Sequence, residues 1–331
     1  MSTDAVTPLP FTEFRERILD LYRPPQRAKN TFTGMRRLLD QVGALVGEGT
    51  TADLTTALVA RFIATRPPEQ SAHTTIGQLG YLSAACSIAS AEGWVRISPF
   101  QIRKRWIKRP KVKAKKHHSR EEIARVLDLM RRDIGRKKGW ARWRSWRLYA
   151  LASTVAFTGM RKMEALHLKA EDIALEDRMI LIVAREDNAL KTEASAQPVP
   201  MPEALAQVLA QWLPHSGSQW AFPNAVGDGP WIGGSPGYKP LDRMRRLGIR
   251  AGVQGFTFQS LRHSWATHAE FWGLTDAQIQ RVLRHTTPRT AKEHYRHPDA
   301  INLRQMVKGI GFGQAPLAEP PPGPAAEGPR P

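Results

Sequence analysis

The stretch "LYALASTVAFTGMRKMEALHLKAEDI", residues 148–173, places a charged helix directly after an apolar one. The first half predicts a long apolar helix, and Gly159 predicts the turn that ends it. A second helix begins at once, so Arg161 stands at its start and Glu164 lies three residues later on the same face. This pattern therefore predicts an arginine held at a turn between two helices.

Helical and strand patterns surround this turn. "SREEIARVL", residues 119–127, opens a helix with a capping box, in which a serine is followed three residues later by a glutamate. A β-branched run at residues 179–183, a polar loop holding Lys191 and the short partner "QPVPM" predict a small antiparallel sheet. Further helices are predicted in "PEALAQVLAQWL", "PLDRMRRLGI", "SLRHSWATHAEFWG" and "TDAQIQRVLRH".

The first hundred residues carry the pattern of short amphipathic helices. Apolar residues recur at helical spacing in four segments, each closed by proline or glycine. A four-helix amino-terminal domain is therefore predicted.

Three tryptophans, Trp140, Trp143 and Trp146, are spaced by threes within a basic segment. They fit either a helix packing face or a platform on which bases stack. The packing face is favoured, because stacking platforms suit single strands better than duplexes.

The charge balance favours a polyanionic partner. The 331 residues are enough for two domains, and 49 Lys and Arg against 30 Asp and Glu give a net charge of +19. So positive a field favours nucleic acid. A basic protein of the membrane surface is the competing interpretation, but no long apolar run or amino-terminal signal pattern occurs. A cytoplasmic, nucleoid-associated protein with no membrane partner is expected. The single cysteine, Cys86, excludes an intramolecular disulfide and a cysteine-based zinc site.

Residues 103–116 carry nine basic residues and no acidic one. Pro110 lies in the middle and disfavours a helix, so an extended, solvated connector is expected. Two roles fit it equally well: a flexible linker made soluble by its charge, and a segment that follows DNA phosphates. In the second role these residues contact the DNA backbone: Arg103, Lys104, Arg105, Lys108, Arg109, Lys111, Lys113, Lys115 and Lys116.

Residues 283–298, "LRHTTPRTAKEHYRHP", place a tyrosine among cations with little apolar pattern to bury it. Tyr295 follows His285 by ten positions. By itself this tyrosine fits an amphipathic side chain that covers a small core, and the neighbouring histidines fit surface residues. Zinc binding is disfavoured, because the spacing matches no ligand pattern typical of zinc.

The order of five motifs along this sequence resembles that of the tyrosine recombinases, the phage integrase family. That family carries an arginine after a Thr-Gly turn with a glutamate three residues later, then a lysine on a β-hairpin. A second arginine in a Leu-Arg-His helix follows, then a Leu-Gly-His turn and a nucleophilic tyrosine roughly ten residues beyond. The matching residues are Arg161, Lys191, Arg262, His285 and Tyr295. Each motif alone is common, whereas the five in this order are not.

The resemblance implies the fold and the division of the chain. It implies a helical core-binding domain at residues 1–101 and an α+β catalytic domain at 119–312. Composition predicts the basic linker at 102–118 and a disordered proline-rich tail at 313–331. The expected fold class is mainly α with a small antiparallel β-sheet.

The resemblance also assigns chemical roles. Arg161 and Arg262 would stabilise the nonbridging oxygens of an anionic phosphoryl transition state, because guanidinium groups donate paired, charge-assisted hydrogen bonds. Lys191 would protonate the leaving 5′ oxygen, His285 would donate to a phosphoryl oxygen, and Tyr295 would become a 3′-phosphotyrosine. Because that covalent bond retains the energy of the broken ester, neither metal nor ATP is implied, and no cofactor is expected.

Two positions depart from the family pattern. Gln259 stands three residues before Arg262, where the family commonly has histidine, and glutamine cannot exchange a proton near neutral pH. Arg284 replaces the glycine of the Leu-Gly-His turn. Gln259 stays a candidate catalytic residue as a hydrogen-bonding group. Three functions remain open: a site-specific recombinase or integrase, a catalytically impaired DNA-binding relative, and a relaxing topoisomerase.

The resemblance implies double-stranded DNA as the partner and a homotetramer on synapsed DNA, with a monomer as one form of the free protein. An apolar surface after the tyrosine fits docking either on a neighbouring protomer or on its own domain. Its members are Ile301, Leu303, Met306, Val307 and Ile310.

Overall fold

In the computed structural model, the described residues are 6–103, 106–108, 117–185, 198–225, 229–231, 240–284, 307 and 310–312. Contacts between residues divide the chain into two compact units, Met1–Lys113 and Ala114–Pro331. Most of the predicted linker and all of the predicted tail lie outside the described residues, so the predicted domain boundaries stay a prediction. Within those ranges, no helix combines the length and the apolar character needed to span a bilayer.

The first unit is helical. Its described helices are α1 (Phe11–Tyr22), α2 (Lys29–Val46), α3 (Thr56–Ala64), α4 (Ala72–Ala91) and α5 (Pro99–Ile102). The four predicted helices are confirmed. Helix α5 is an addition, and it is too short to produce an apolar period; a capping box between Ser98 and Gln101 holds its single turn. The core is built from residues such as Phe14, Ile18, Leu38, Phe62 and Leu82.

The second unit is built around one apolar helix. Its described helices are α6 (Arg120–Arg136), α7 (Gly139–Thr158), α8 (Lys162–Leu166), α9 (Glu203–Trp212), α10 (Pro240–Arg250), α11 (Phe258–Ala269) and α12 (Asp276–Val282). Residues 146–158 of α7 are all buried. A helix that is buried on every side belongs in the centre of a domain, and α7 packs against α6, α9 and α11.

Capping side chains fix where two of these helices begin. The hydroxyl of Ser119 accepts a hydrogen bond from the backbone N–H of Glu122 at 3.2 Å, and the Glu122 carboxylate accepts from the Ser119 N–H at 2.8 Å. The predicted capping box of α6 is therefore confirmed. Thr257 caps α11 in the same way, since its hydroxyl accepts from the backbone N–H of Ser260 at 3.0 Å.

A three-stranded antiparallel sheet lies beside the helices, with strands β1 (Ile173–Ala174), β2 (Met179–Leu181) and β3 (Pro198–Pro200) in the order β1-β2-β3. In the pairing, Ile180 stands opposite Ile173 of β1 and Val199 of β3. The prediction of a mainly helical fold with a small antiparallel sheet is confirmed. Strand β2 is shorter than the predicted run, because the ladder ends before Val183, whose side chain is exposed.

The tryptophans of α7 are packing residues. Trp143 and Trp146 are buried, and the indole N–H of Trp143 donates to the carbonyl of His215 at 2.8 Å. The Trp140 ring lies against Trp143, with centroids 5.2 Å apart. The packing interpretation is confirmed, because rings enclosed by protein offer no face on which a base can stack.

Three residues near the end of the chain belong to the same core. Val307, Ile310 and Phe312 are buried, and the Phe312 ring lies 4.9 Å from that of Phe157. In this structure, Val307 and Ile310 of the predicted apolar surface therefore pack on their own unit. The other members of that surface, Ile301, Leu303 and Met306, lie outside the described residues.

Candidate active site

The turn after α7 requires glycine for two reasons. Gly159 ends the helix with φ +65 and ψ 13, in the left-handed region that residues with a side chain rarely adopt. A Cβ atom at this position would also lie 2.7 Å from a methyl carbon of Leu283 and 3.0 Å from the Trp265 ring. The predicted glycine turn is confirmed, and it brings the chain after α7 against the residues that follow α12.

Substitution of Gly159 should therefore destabilise the protein. For Gly159→Ala we expect the free energy of unfolding to fall by about 2 kcal/mol or more, because a left-handed alanine and a close contact add together. Gly77→Ala in α4 is the matched control, since that position has open space around it, and it should raise stability by roughly 0.5–1 kcal/mol. Chemical denaturation of both variants checks the prediction, and equal effects at the two positions would contradict it.

Arg161 begins α8, and Glu164 anchors it. The Glu164 carboxylate accepts from the Arg161 backbone N–H at 2.9 Å and from its guanidinium at 2.8 Å. The Arg161 side chain keeps 33% of its surface exposed, whereas that of Glu164 keeps 7%. A fixed carboxylate thus holds one edge of a guanidinium that still faces solvent.

Arg262 comes from α11 and lies almost fully buried. Its guanidinium donates to the Gly159 carbonyl at 2.5 Å and to the Leu283 carbonyl at 2.6 Å. Arg161 reaches the next carbonyl along the chain, that of Arg284, at 3.4 Å. The structure therefore brings the two predicted arginines to one short segment after α12.

A third arginine completes this cluster. Arg284 has φ +51, and a side chain in this left-handed region costs about 1–3 kcal/mol of strain. Its guanidinium donates to the Glu164 carboxylate oxygen that also accepts from the Arg161 backbone N–H and, at 3.1 Å, to the Val282 carbonyl. The sequence marked Arg284 only as a departure from glycine, since nothing in the pattern links it to a glutamate 120 positions earlier.

Burial and neighbouring charges shift the pKa values within the cluster. The pKa of Arg262 is lowered to about 10. Burial is the largest cause, and the positive charges of Arg161 and Arg284 add to it. For Glu164, burial raises the pKa, but the charge of Arg284 and the hydrogen bonds from Arg161 more than offset it, so the pKa is lowered. Three positive charges surround one negative charge, and the excess of two favours binding of an anion such as a phosphate group.

Gln259 lies one turn before Arg262 on α11, with its side chain exposed. Its amide nitrogen is 3.0 Å from Nε2 of His263. No hydrogen bond joins Gln259 to Arg161 or Arg262, and all three residues are described. The structure thus brings Arg161 and Arg262 together but leaves Gln259 at the edge of the cluster.

The other predicted site residues are only partly covered. Lys191, His285 and Tyr295 lie outside the described residues. Of the predicted DNA-backbone residues, Arg103 and Lys108 are described, and Arg103 lies over the Trp106 ring at 4.8 Å. The remaining ones lie outside the described residues: Lys104, Arg105, Arg109, Lys111, Lys113, Lys115 and Lys116.

A buried histidine positions α11. The backbone N–H of His118 donates to the Ser264 hydroxyl at 2.8 Å, and its Nε2 lies 3.0 Å from the Ser260 hydroxyl. Nε2 of His268 lies 2.8 Å from the His118 carbonyl. The sequence signal for this contact was the spacing of polar residues by four along one face of α11. Polar side chains on a buried helix face need hydrogen-bond partners, so the spacing predicts a polar group packed against that face. Sequence reasoning missed His118, because it stands at the end of the basic connector.

A cationic cleft of about 390 Å³ lies between α6, α7 and α10. Its basic lining residues are Lys137, Arg144, Arg243, Arg246 and Arg250. The acidic lining residue, Asp133, accepts from Arg250 at 2.8 and 3.1 Å and lies 3.5 Å from Lys137. Burial and the charges of Arg144 and Arg246 lower the pKa of Arg243. Asp133 balances only part of the positive charge of the cleft, and among the described residues no ion pair joins Arg144, Arg243 or Arg246 to a carboxylate.

Comparison with known proteins places the second unit in a family. Residues 119–301 match the model of the phage integrase family. A curated relative, tyrosine recombinase XerC of Corynebacterium efficiens, is 28% identical over 163 residues, which cover 48% of this chain and 49% of the relative. The chain thus spans about half the length of that relative.

Two solved structures have a similar fold. The Tn1549 transposon integrase in complex with a circular intermediate DNA has a TM-score of 0.64 at 14% identity, covering 90% of this chain and 98% of that one. A lambda integrase tetramer bound to a Holliday junction has a TM-score of 0.63 at 15% identity, covering 87% and 80%. At these identities the likeness extends to the fold alone.

Proposed function

Because the chain belongs to the phage integrase family, we propose that it is a site-specific recombinase that cuts and rejoins duplex DNA through a 3′-phosphotyrosyl intermediate. The observation that carries the proposal is the pair of arginines, Arg161 and Arg262, fixed by the consecutive carbonyls of Leu283 and Arg284. We propose that this pair binds the scissile phosphate, and their hydrogen bonds to neighbouring carbonyls support the proposal.

The proposed chemistry needs these residue types. A phenol that attacks a phosphodiester passes through a state with added negative charge on the nonbridging oxygens, and fixed guanidinium groups stabilise it without reorganising. Arg262 is held by two backbone carbonyls, so its orientation is set before DNA binds. Arg161 is held on one edge by Glu164 and exposes the other. Arg262 stays protonated at neutral pH, since even its lowered pKa is about 10.

Three further roles complete the proposed reaction. Tyr295 attacks the scissile phosphorus and forms a phosphodiester with the 3′ end, while Lys191 gives a proton to the leaving 5′ oxygen. His285 donates to a phosphoryl oxygen. In the second half of the reaction, the 5′ hydroxyl of a partner strand attacks the phosphotyrosine and releases the phenol. The number of ester bonds is conserved, so the proposed cycle consumes neither ATP nor an external reductant.

Strand exchange between two duplexes tests the proposal. The substrates are duplexes drawn from the DNA that flanks the gene of this protein, incubated with the purified chain in buffer containing a metal chelator and no ATP. We expect recombinant strands to form. Strand cleavage without exchange would support a relaxing topoisomerase instead, and binding without cleavage would support the impaired relative.

The impaired relative remains the second candidate, because the exposed Gln259 pairs with His263 rather than with either arginine. If Gln259 acts only as a hydrogen-bonding group, Gln259→His should change the cleavage rate by less than about threefold. Single-turnover cleavage of a nicked duplex measures this rate. A gain of about a hundredfold or more would mean that proton transfer had been lost at this position and would favour the impaired relative.

We further propose that the cationic cleft contacts the DNA backbone away from the scissile phosphate. Arg144 precedes Gly159 by 15 positions on α7. Along the helix axis that separation is a rise of roughly 22 Å, which is the length of about six phosphates along one DNA strand. The predicted contacts of the basic connector, from Arg103 to Lys116, would add to those of the cleft.

The salt dependence of binding tests the cleft. Replacing both Arg243 and Arg246 by alanine should reduce the slope of log affinity against log salt by about 1.8, because each phosphate contact contributes about 0.9. The matched control replaces Arg125 and Arg245, two exposed arginines outside the cleft, and removes the same charge. We expect little change of slope in the control. Equal changes in both double variants would mean that net charge alone acts.

The proposal extends to the oligomeric state of the protein. We propose a monomer in solution and a homotetramer on synapsed DNA, and the solved lambda integrase tetramer on a Holliday junction supports that assembly by analogy. In this structure, the side chains of Val307 and Ile310 are covered by their own unit, and the other members of the predicted apolar surface lie outside the described residues.

A further inference from the structure

Arg284 lies at the centre of the arginine cluster although glycine would fit its backbone better. Its φ of +51 belongs to the region that glycine adopts freely, and its side chain is 1% exposed. Burial opposes the charge of this guanidinium and lowers its pKa. Two costs, backbone strain and the burial of a charge, therefore oppose an arginine here, and glycine would carry neither.

Several contacts of Arg284 and of the residue before it lead to the proposed phosphate site. Its guanidinium donates to the oxygen of Glu164 that the Arg161 side chain leaves free. Its own carbonyl accepts from Arg161 at 3.4 Å, and the carbonyl before it accepts from Arg262 at 2.6 Å. A change at this residue is therefore transmitted to both proposed catalytic arginines.

We propose that Arg284 is a positioning residue that balances the charge of Glu164, so that Arg161 keeps its positive charge available for the scissile phosphate. This inference rests on the proposed function, since it assigns Arg161 to that phosphate. Without Arg284, the buried carboxylate has Arg161 as its direct ionic partner, and the attraction between them weakens what Arg161 offers to an incoming anion.

The net charge of the arginine cluster differs between the wild type and Arg284→Gly and is restored in a double variant. In the wild type, Arg161, Arg262 and Arg284 face Glu164, and the cluster carries three positive charges and one negative, a net +2. Arg284→Gly leaves two positive and one negative, a net +1. Combining it with Glu164→Gln leaves two positive charges and no negative one, which restores +2.

Single-turnover formation of the covalent adduct on a nicked duplex tests the proposal. We expect Arg284→Gly to slow adduct formation by about tenfold, and the double variant Arg284→Gly with Glu164→Gln to recover to within about threefold of the wild type. Arg284→Lys keeps the charge and should also react within about threefold of the wild type. A double variant as slow as Arg284→Gly, or an Arg284→Gly protein as fast as the wild type, would overturn the proposal.

The pH dependence provides a signature that a purely structural role would not produce. The groups that face Glu164 are Arg161 from the start of α8, Arg262 from α11 and Arg284 from the segment after α12, and the charge of Arg284 is the largest single contribution that lowers its pKa. Removing Arg284 should raise the pKa of Glu164, so that in Arg284→Gly the carboxylate protonates, and loses its negative charge, at a higher pH than in the wild type. The deficit of Arg284→Gly relative to wild type should therefore shrink toward acid pH, and a constant deficit would contradict charge balance.

A binding measurement separates this proposal from the recombinase assignment. Inorganic phosphate should raise the unfolding temperature of the wild type and of the double variant more than that of Arg284→Gly. If the three proteins respond to phosphate in this order but the wild type forms no adduct with the DNA it binds, the proposed function is contradicted and the charge balance stays supported. A wild type that forms the adduct while all three proteins respond equally to phosphate would overturn the role of Arg284 alone.

Discussion

Tyr295→Phe is expected to abolish the covalent adduct between the protein and DNA, slowing its formation by roughly ten-thousandfold or more while duplex binding stays unchanged. The substitution removes one oxygen, the atom that would attack phosphorus, and retains the ring. Binding depends on the arginines and the basic surfaces, so it should not change. A nicked duplex from the DNA flanking the gene, resolved on a denaturing gel, reports the adduct, and a native gel reports binding.

A matched variant separates the nucleophile from a general effect of losing a hydroxyl. Tyr22→Phe makes the same change at the end of α1, in the first unit, and should form the adduct at the rate of the wild type. An adduct formed at wild-type yield by Tyr295→Phe would show that another residue attacks the phosphate and would remove the basis for the phosphotyrosyl mechanism.

Arg262→Ala has the second largest expected effect, and it acts on both rate and stability. Removing a fixed donor to the phosphoryl oxygens should slow cleavage by about a hundredfold to a thousandfold. The same change leaves the carbonyls of Gly159 and Leu283 without their donor, at a cost of about 1–3 kcal/mol for each buried group. The free energy of unfolding, measured by chemical denaturation, should therefore also fall.

Two variants resolve these effects. Arg262→Lys keeps a positive charge but loses the planar fork that reaches two carbonyls, so its cleavage rate should lie between those of the wild type and Arg262→Ala. Arg245→Ala, an exposed position on α10, should leave both rate and stability unchanged. Cleavage by Arg262→Ala within about tenfold of the wild type would contradict the assigned role.

Local signals in the sequence predicted local structure well. The serine and glutamate of the α6 capping box, the apolar run of α7 and the glycine turn before Arg161 each depend on residues within a few positions of one another. Their structures follow from helix capping, burial and the conformational freedom of Gly159. The sheet was predicted for the same reason, although its β2 strand ends at Leu181, two residues before the end of the predicted run.

Contacts between distant residues could not be predicted in this way. The convergence of Arg161 and Arg262 was expected from family resemblance, because no spacing rule relates two arginines 101 positions apart. The ion pair between Glu164 and Arg284 joins residues 120 positions apart and depends on a left-handed backbone. The anchoring of α11 by His118 spans 146 positions. Each of these contacts exists only after the unit has folded.

The arginine cluster also explains how a departure from the family pattern can be tolerated. At the position before His285, a side chain replaces glycine, and it forms an ion pair with a carboxylate that already holds Arg161. The departure therefore does not remove the proposed phosphate site. It changes the charge of that site, which is the basis of the inference about Arg284.

Identification of the protein atom that becomes joined to DNA tests the central claim most directly. The wild-type chain is incubated with a nicked duplex from the DNA flanking its gene, denatured and digested, and the linked peptide is identified by mass spectrometry. The proposed function predicts one linked peptide, which contains Tyr295 joined to a 3′ phosphate, and a free 5′ hydroxyl on the released strand. Binding of the duplex without any linkage, or linkage through a different residue, would contradict it.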